Sequence, residues 1–224
     1  MSSGWSKPGL LQNDMRLELK DIILDTVFPK TCLGCGKEGK YICEKCDLFI
    51  SEAPDIFLGG DLVQVFSAWE YEGLVKKAIL GIKYGHAYDI INELVEKTLK
   101  VKELDFPENV VITFVPLFRK KEKERGFNQA EVIARKLGKE LGIKVFTLLE
   151  KIKDTKSQTK LDRQERLDNI RGAFAAKTKL PPEIKNILLV DDVWTSGATM
   201  RECARVLKKA GAKNILGFTL ARTI

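Results

Sequence analysis

The densest chemistry in the chain lies in Asn186–Met200, NILLVDDVWTSGATM. Four apolar residues, Ile187–Val190, suit a buried central strand, and two carboxylates, Asp191 and Asp192, stand where it leaves the core. A short run of small and hydroxyl residues then opens a helix. Ligands of open parallel sheets bind beyond the carboxyl ends of the strands, where this acid pair would stand. Backbone N–H groups of Trp194–Thr199 can converge there on one anion. Gly197 permits close approach, Thr195, Ser196 and Thr199 add hydroxyls, and Ala198 begins a helix whose positive end faces the same point. Adjacent carboxylates beside such a cradle suit ribose hydroxyls or a bound Mg²⁺. The bland reading, a polar turn at an ordinary β–α junction, accounts for single Asp or Thr residues but not for this whole pattern. No Gly-Lys-Ser/Thr element makes it a P-loop, and no glycine-rich dinucleotide motif occurs.

A second cluster is Cys32-x2-Cys35-x7-Cys43-x2-Cys46. Two CxxC knuckles can aim four thiolates at one Zn²⁺, with Gly34, Gly36 and Gly39 easing the turns. Redox disulfides and an iron–sulfur centre are the alternatives. Four sulfur ligands leave no open coordination position, so such a metal stabilises and does not catalyse. Cys203 lies far from the cluster and reads as a small core residue, and the lone His86 as a loop residue.

The net charge is +7, and most of it is local. Arg119–Gly126 holds five cations against two anions, and Lys151–Arg171 seven against four. Cations gathered in loops point to a polyanion such as pyrophosphate, a nucleotide or nucleic acid; the alternative for either run is a solvated face of mixed charge. Arg125 serves anion binding or a surface ion pair. Asn128 is a good helix N-cap.

The elements that must position these groups follow from periodicity. Met15–Phe28 reads as an amphipathic helix ended by Pro29. Asp61–Tyr71 reads as a strand, and Glu72–Lys83 and Tyr88–Lys100 as helices around the loop Tyr84–Ala87. Strand Val110–Val115 leads through loop Pro116–Phe127 to helix Asn128–Leu141, followed by strand Lys144–Leu149. Strand Asn186–Val193, helix Ala198–Ala210 and strand Lys213–Ala221 complete the chain. This alternation implies an α/β fold: a mainly parallel sheet with flanking helices. We expect two parts: 1–58, an N-terminal helix and cysteine module, and 59–224, the larger domain with 59–100 as a hood and 105–224 as core. The 224 residues suffice for such a core without disulfides. No apolar run reaches membrane-spanning length and no secretory pattern opens the chain, so a soluble, cytoplasmic protein without membrane insertion is expected.

The acid pair and hydroxyl-rich turn resemble the phosphoribosyl pyrophosphate (PRPP) signature of type I phosphoribosyltransferases. That resemblance implies ribose contacts from Asp191 and Asp192 and 5-phosphate contacts from Thr195, Ser196, Gly197, Ala198 and Thr199. Trp194 stacks on a ligand or packs against the sheet. The loop after the first core strand, with Pro116, Leu117, Arg119, Arg125 and Gly126, matches the pyrophosphate loop in order, and Lys156, Gln158, Arg163 and Arg166 match the flexible catalytic loop. The resemblance narrows further when the cysteine cluster, Tyr71-Glu72-Gly73, Lys83-Tyr84, Val115-Pro116, RGFNQ at 125–129, the Arg163–Asn169 run and Gly172-Ala173-Phe174 are added. Together they are similar to the ComF family of competence-associated proteins across about residues 20–222. Membership implies a type I phosphoribosyltransferase-like domain, a zinc-binding N-terminal module, PRPP with Mg²⁺, and a role in DNA uptake or nucleotide metabolism. Single-stranded DNA and proteins of the competence machinery are the implied partners. Two functions stay open: a transferase releasing pyrophosphate, or a non-catalytic module that senses PRPP or binds single-stranded DNA.

Overall fold

A computed structural model of the protein describes residues 30–84, 88–155 and 169–224. The chain divides after Phe49 into two compact units.

The first unit, as described, is a small knuckle. A turn closes from the Gly36 N–H to the Cys32 carbonyl, and Thr31 and Glu38 bridge as antiparallel neighbours. A single helical turn, α1 (Glu44–Asp47), starts at Cys43. Among the described residues of the unit, Ile42, Cys32 and Cys43 are buried.

In the second unit, strand β1 (Ile56–Phe57) pairs antiparallel with β2 (Gln64–Glu70). The ladder continues in parallel through β7 (Asn214–Arg222), β6 (Asn186–Trp194) and β3 (Val110–Phe114). Ile56 and Phe57, on the larger unit's side of the division after Phe49, belong to this sheet. β2, expected with the hood, is likewise a full member of the sheet, paired from Gln64 to Glu70 with β7. Ile187–Val190 are each at most 1% exposed, as a strand covered on both faces must be. Burying each such side chain is worth about 1.5–3 kcal/mol.

Helices α2 (Gly73–Tyr84) and α3 (Tyr88–Val101) link β2 to β3. Helix α5 (Gln129–Leu141) buries Ala130, Ile133, Ala134 and Leu137, one face of a 3.6-residue period, against β3 and β6. Helix α6 (Ala198–Ala210) buries Met200, Cys203, Ala204 and Leu207 against β5 (Phe174–Ala176), β6 and β7.

Two sequence expectations change. The run Arg119–Arg125 is not a loop but a helix, α4, closed by Gly126 in the left-handed conformation (φ 81°). Its Lys, Glu and Arg residues are strong helix formers, and their charge had read as loop. The strand expected at Lys144–Leu149 shrinks to one parallel bridge, Val145 to Ile112. The chain then forms β4 (Leu149–Lys151), which pairs antiparallel with β5. The expected helix Met15–Phe28 and the loop residues 85–87 lie outside the described residues.

The topology fixes where a ligand can enter. After β3 the chain crosses by α5 to Val145 on one side, whereas after β6 it crosses by α6 to β7 on the other. Right-handed crossovers in opposite directions put α5 and α6 on opposite faces. The strand ends therefore splay between β3 and β6, which is the switch point of an open α/β sheet.

Candidate functional site

A cleft of about 320 Å³ opens at that switch point. β6 supplies Asp191 and Asp192, both half-buried. The strand runs one residue beyond the expected Val193, to Trp194, with Asp191 paired to Thr219 and Val193 to Ala221. Each carboxylate is held near its own backbone: Asp191 Oδ1 accepts from the Asp192 N–H (2.9 Å), and Asp192 Oδ1 from the Val193 N–H (2.8 Å).

The turn after β6 forms the facing wall, with Thr195–Met200 lining the cleft. Gly197 caps α6 from the left-handed region (φ 74°) and supplies no side-chain acceptor to the helix. Ser196 Oγ accepts from the Ala198 N–H at 3.4 Å, and the positive end of α6 faces the cleft. Trp194 does not stack on an open face. It is 7% exposed and lies under the turn, where a Cβ on Gly197 would come within 2.2 Å of its ring. The Arg201 guanidinium sits 5.6 Å from the ring centroid. Of the two roles open in the sequence, packing is the one observed.

The third wall comes from β3 and the start of α5. Val115, Pro116 and Leu117 line the cleft, and Asn128 fastens this turn to the helix. Its Nδ2 donates to the Val115 carbonyl (3.0 Å), and its Oδ1 accepts from the Ala130 N–H (3.1 Å). Arg125 reaches the cleft and donates to Gln129 Oε1 (3.1 Å). Arg119 is exposed and Gly126 caps α4; neither lines the cleft, because the intervening residues coil into a helix. Lys156, Gln158, Arg163 and Arg166 lie outside the described residues.

Several cleft residues had no assigned role in the sequence. Gln129 is 3% exposed, and its Nε2 has no hydrogen-bond partner among the described residues. Tyr71 stands at the end of β2, and Lys151 on β4 lies 5.4 Å from the Phe174 ring centroid. Burial pushes the Lys151 ammonium down from its ordinary pKa, with the Lys121 charge adding to it, while Asp191 opposes. Lys121 donates to the Thr155 carbonyl (2.6 Å) and lies 3.7 Å from Asp154, tying α4 to the segment after β4. The signal for Lys151 and Gln129 was present in the basic run and in RGFNQ, but only the fold turns them inward.

In the first unit, the Sγ atoms of Cys32, Cys35, Cys43 and Cys46 all lie within 4.8 Å of one another, and none is in a disulfide. Cys35 and Cys43 are 3.6 Å apart. Zn–S bonds of about 2.3 Å require tetrahedral S···S edges of about 3.8 Å, so the four thiols can hold one metal ion such as zinc. Burial raises the Cys32 thiol, but N–H donors from Cys43, Cys35 and Gly34 outweigh it and bring it to about 6. Burial and the neighbouring sulfurs push Cys46 up to about 12. Four thiolates so close repel one another, and a central cation removes that repulsion.

Among the described residues, no helix is long and apolar enough to cross a membrane.

Comparison with known proteins follows the same division. The phosphoribosyl transferase domain family matches residues 123–222, which hold α5, β6, the acid pair and α6. Competence protein ComFC of Streptococcus pneumoniae is 30% identical, covering 95% of this chain and 91% of its own length. Competence protein F of Haemophilus influenzae is 26% identical over 85% of this chain and 84% of its own. The DNA utilization protein YhgH of Salmonella typhimurium is 31% identical over 54% of this chain and 52% of its own.

Proposed function

Because the chain belongs to the ComF family and carries a phosphoribosyl transferase domain, we propose that its cleft binds PRPP and that the protein serves DNA uptake. The observation that carries this reading is the convergence of the acid pair and the N-terminus of α6 on one cleft at the switch point. The 5-phosphate takes N–H donors and hydroxyls from Thr195–Thr199, and the ribose hydroxyls take Asp191 and Asp192. The pyrophosphate then points along Val115–Leu117 toward Arg125, with Lys151 adding positive charge. Lys156, Gln158, Arg163 and Arg166, which lie outside the described residues, would add positive and polar groups toward the ligand. Bound Mg²⁺ neutralises charge on the pyrophosphate, and the carboxylates are the groups that would hold it. Transfer breaks the C1–O bond to pyrophosphate and forms a bond from C1 to an acceptor lone pair. Arg125 and the turn after β3 stabilise the charge that collects on the leaving group. Zinc, closed within four thiolates, keeps the cysteine module folded.

The test is calorimetric titration with PRPP and Mg²⁺. Asp191→Asn with Asp192→Asn is expected to weaken binding more than tenfold, or about 1.4 kcal/mol, with the fold retained. Unchanged affinity in the folded double variant refutes the site. Pyrophosphate release in a screen of nucleobases and single-stranded DNA separates a transferase from a binding module.

A further inference from the structure

A second groove, of about 1000 Å³, flanks α6 and shares the wall residue Ala198 with the cleft. Four cations line it: Lys153, Arg171, Arg201 and Arg205. Its carboxylates are Asp61 and Glu202. Glu202 is already satisfied, accepting from Arg205 at 2.6 and 2.8 Å and from the Gly172 N–H at 2.7 Å. Lys153, Arg171 and Arg201 are exposed and form no ion pair among the described residues. By contrast, two cations of the cleft wall are engaged, Lys121 by Thr155 and Arg125 by Gln129. Lys153, Arg171 and Arg201 therefore leave positive charge available in the groove.

We propose that this groove holds the phosphodiester backbone of single-stranded nucleic acid while the cleft remains free for its own ligand. The proposal rests on the DNA-uptake role proposed above. The groove is about three times the cleft's volume, too wide for one phosphate but suited to a chain of them. Three of its four cations are arginines, whose planar forks match phosphate oxygens. Few apolar side chains line it, which disfavours a peptide anchored by hydrophobic residues. Ala198, common to both cavities, puts the groove beside the start of α6 and next to the cleft.

Anisotropy of a fluorescein-labelled oligodeoxythymidylate, titrated with the full chain across a salt series, tests this. Saturating PRPP is expected to leave binding unchanged. Arg171→Ala with Arg201→Ala should weaken it at least tenfold and flatten the salt slope by about 0.7 for each phosphate no longer neutralised. Arg171→Ala alone, which leaves α6 intact, should show a smaller loss of the same kind. Displacement by PRPP puts the strand in the cleft and overturns the proposal, as does unchanged affinity in the folded variants. Equal displacement by polyglutamate means a generic polyanion surface and also overturns it. Calorimetric PRPP affinity of the same proteins is read separately, so failure of the PRPP site with intact oligonucleotide binding refutes only that earlier reading.

Discussion

Replacing Gly197 by Ala tests how the anion cradle is built. The residue sits at φ 74°, and a Cβ there would meet Trp194 Cζ2 at 2.2 Å and Cη2 at 2.3 Å. Two costs arise. The left-handed backbone costs an L-residue about 1–2 kcal/mol, and overpacking costs about 1–3 kcal/mol more. The indole cannot yield freely, since Trp194 is 7% exposed and flanked by Arg201. Gly197→Ala should therefore destabilise the folded chain by about 2–5 kcal/mol in urea unfolding followed by circular dichroism. A double-mutant cycle separates the causes. In a Trp194→Leu background the ring is gone, so Gly197→Ala should cost only the backbone share, giving a coupling of about 1–3 kcal/mol. Costs that add to within about 0.5 kcal/mol would show that the ring does not support the turn, and the reasoning fails.

Two further outcomes are expected. Purified protein should contain about one zinc per chain by atomic absorption, and Cys43→Ser should remove it and unfold the knuckle while sparing the larger unit; an intact metal-free knuckle refutes the four-thiolate site. Side-chain hydrogen bonds from Arg205 hold the Glu202 carboxyl below its ordinary range, with the Gly172 N–H assisting and burial opposing. Its stabilisation is thus complete above the unfolded carboxylate value of about 4.3 and fades as pH falls through the lower folded value. Glu202→Gln should lose stability at neutral pH and unfold less steeply in acid, and an unaltered acid profile refutes the pairing.

What could be read from the sequence was whatever local periodicity encodes. Ala198–Ala210 is a helix over the expected residues, and the strand from Asn186 ends one residue late. Both carry strong apolar patterns and a glycine at a turn. Pairings between distant residues were not legible. β4 and β5 meet across the basic segment, Leu149 opposite Ala176, and nothing near either strand announces its partner. The same limit hid Gln129 and Lys151. Each faces the cleft only because β3, β4 and α5 converge there, and neither residue type is diagnostic alone.

Charge shows most clearly why composition and function part ways. The two basic runs supply nearly all of the net charge, so both read as anion-binding. In the fold, α4 uses Lys121 to fasten the segment after β4 and Arg125 to orient Gln129. Lys121 is partly neutralised by Asp154, whereas Arg125 meets only a neutral amide oxygen among the described residues. Arg201, by contrast, lies in neither run, yet it faces the open groove without a carboxylate partner among the described residues. An anion is attracted by charge that remains unpaired after folding, and helix formation at Arg119–Arg125 decides which charges those are. Oligonucleotide binding that tracks Arg171 and Arg201 more than Lys121 follows from this bonding pattern.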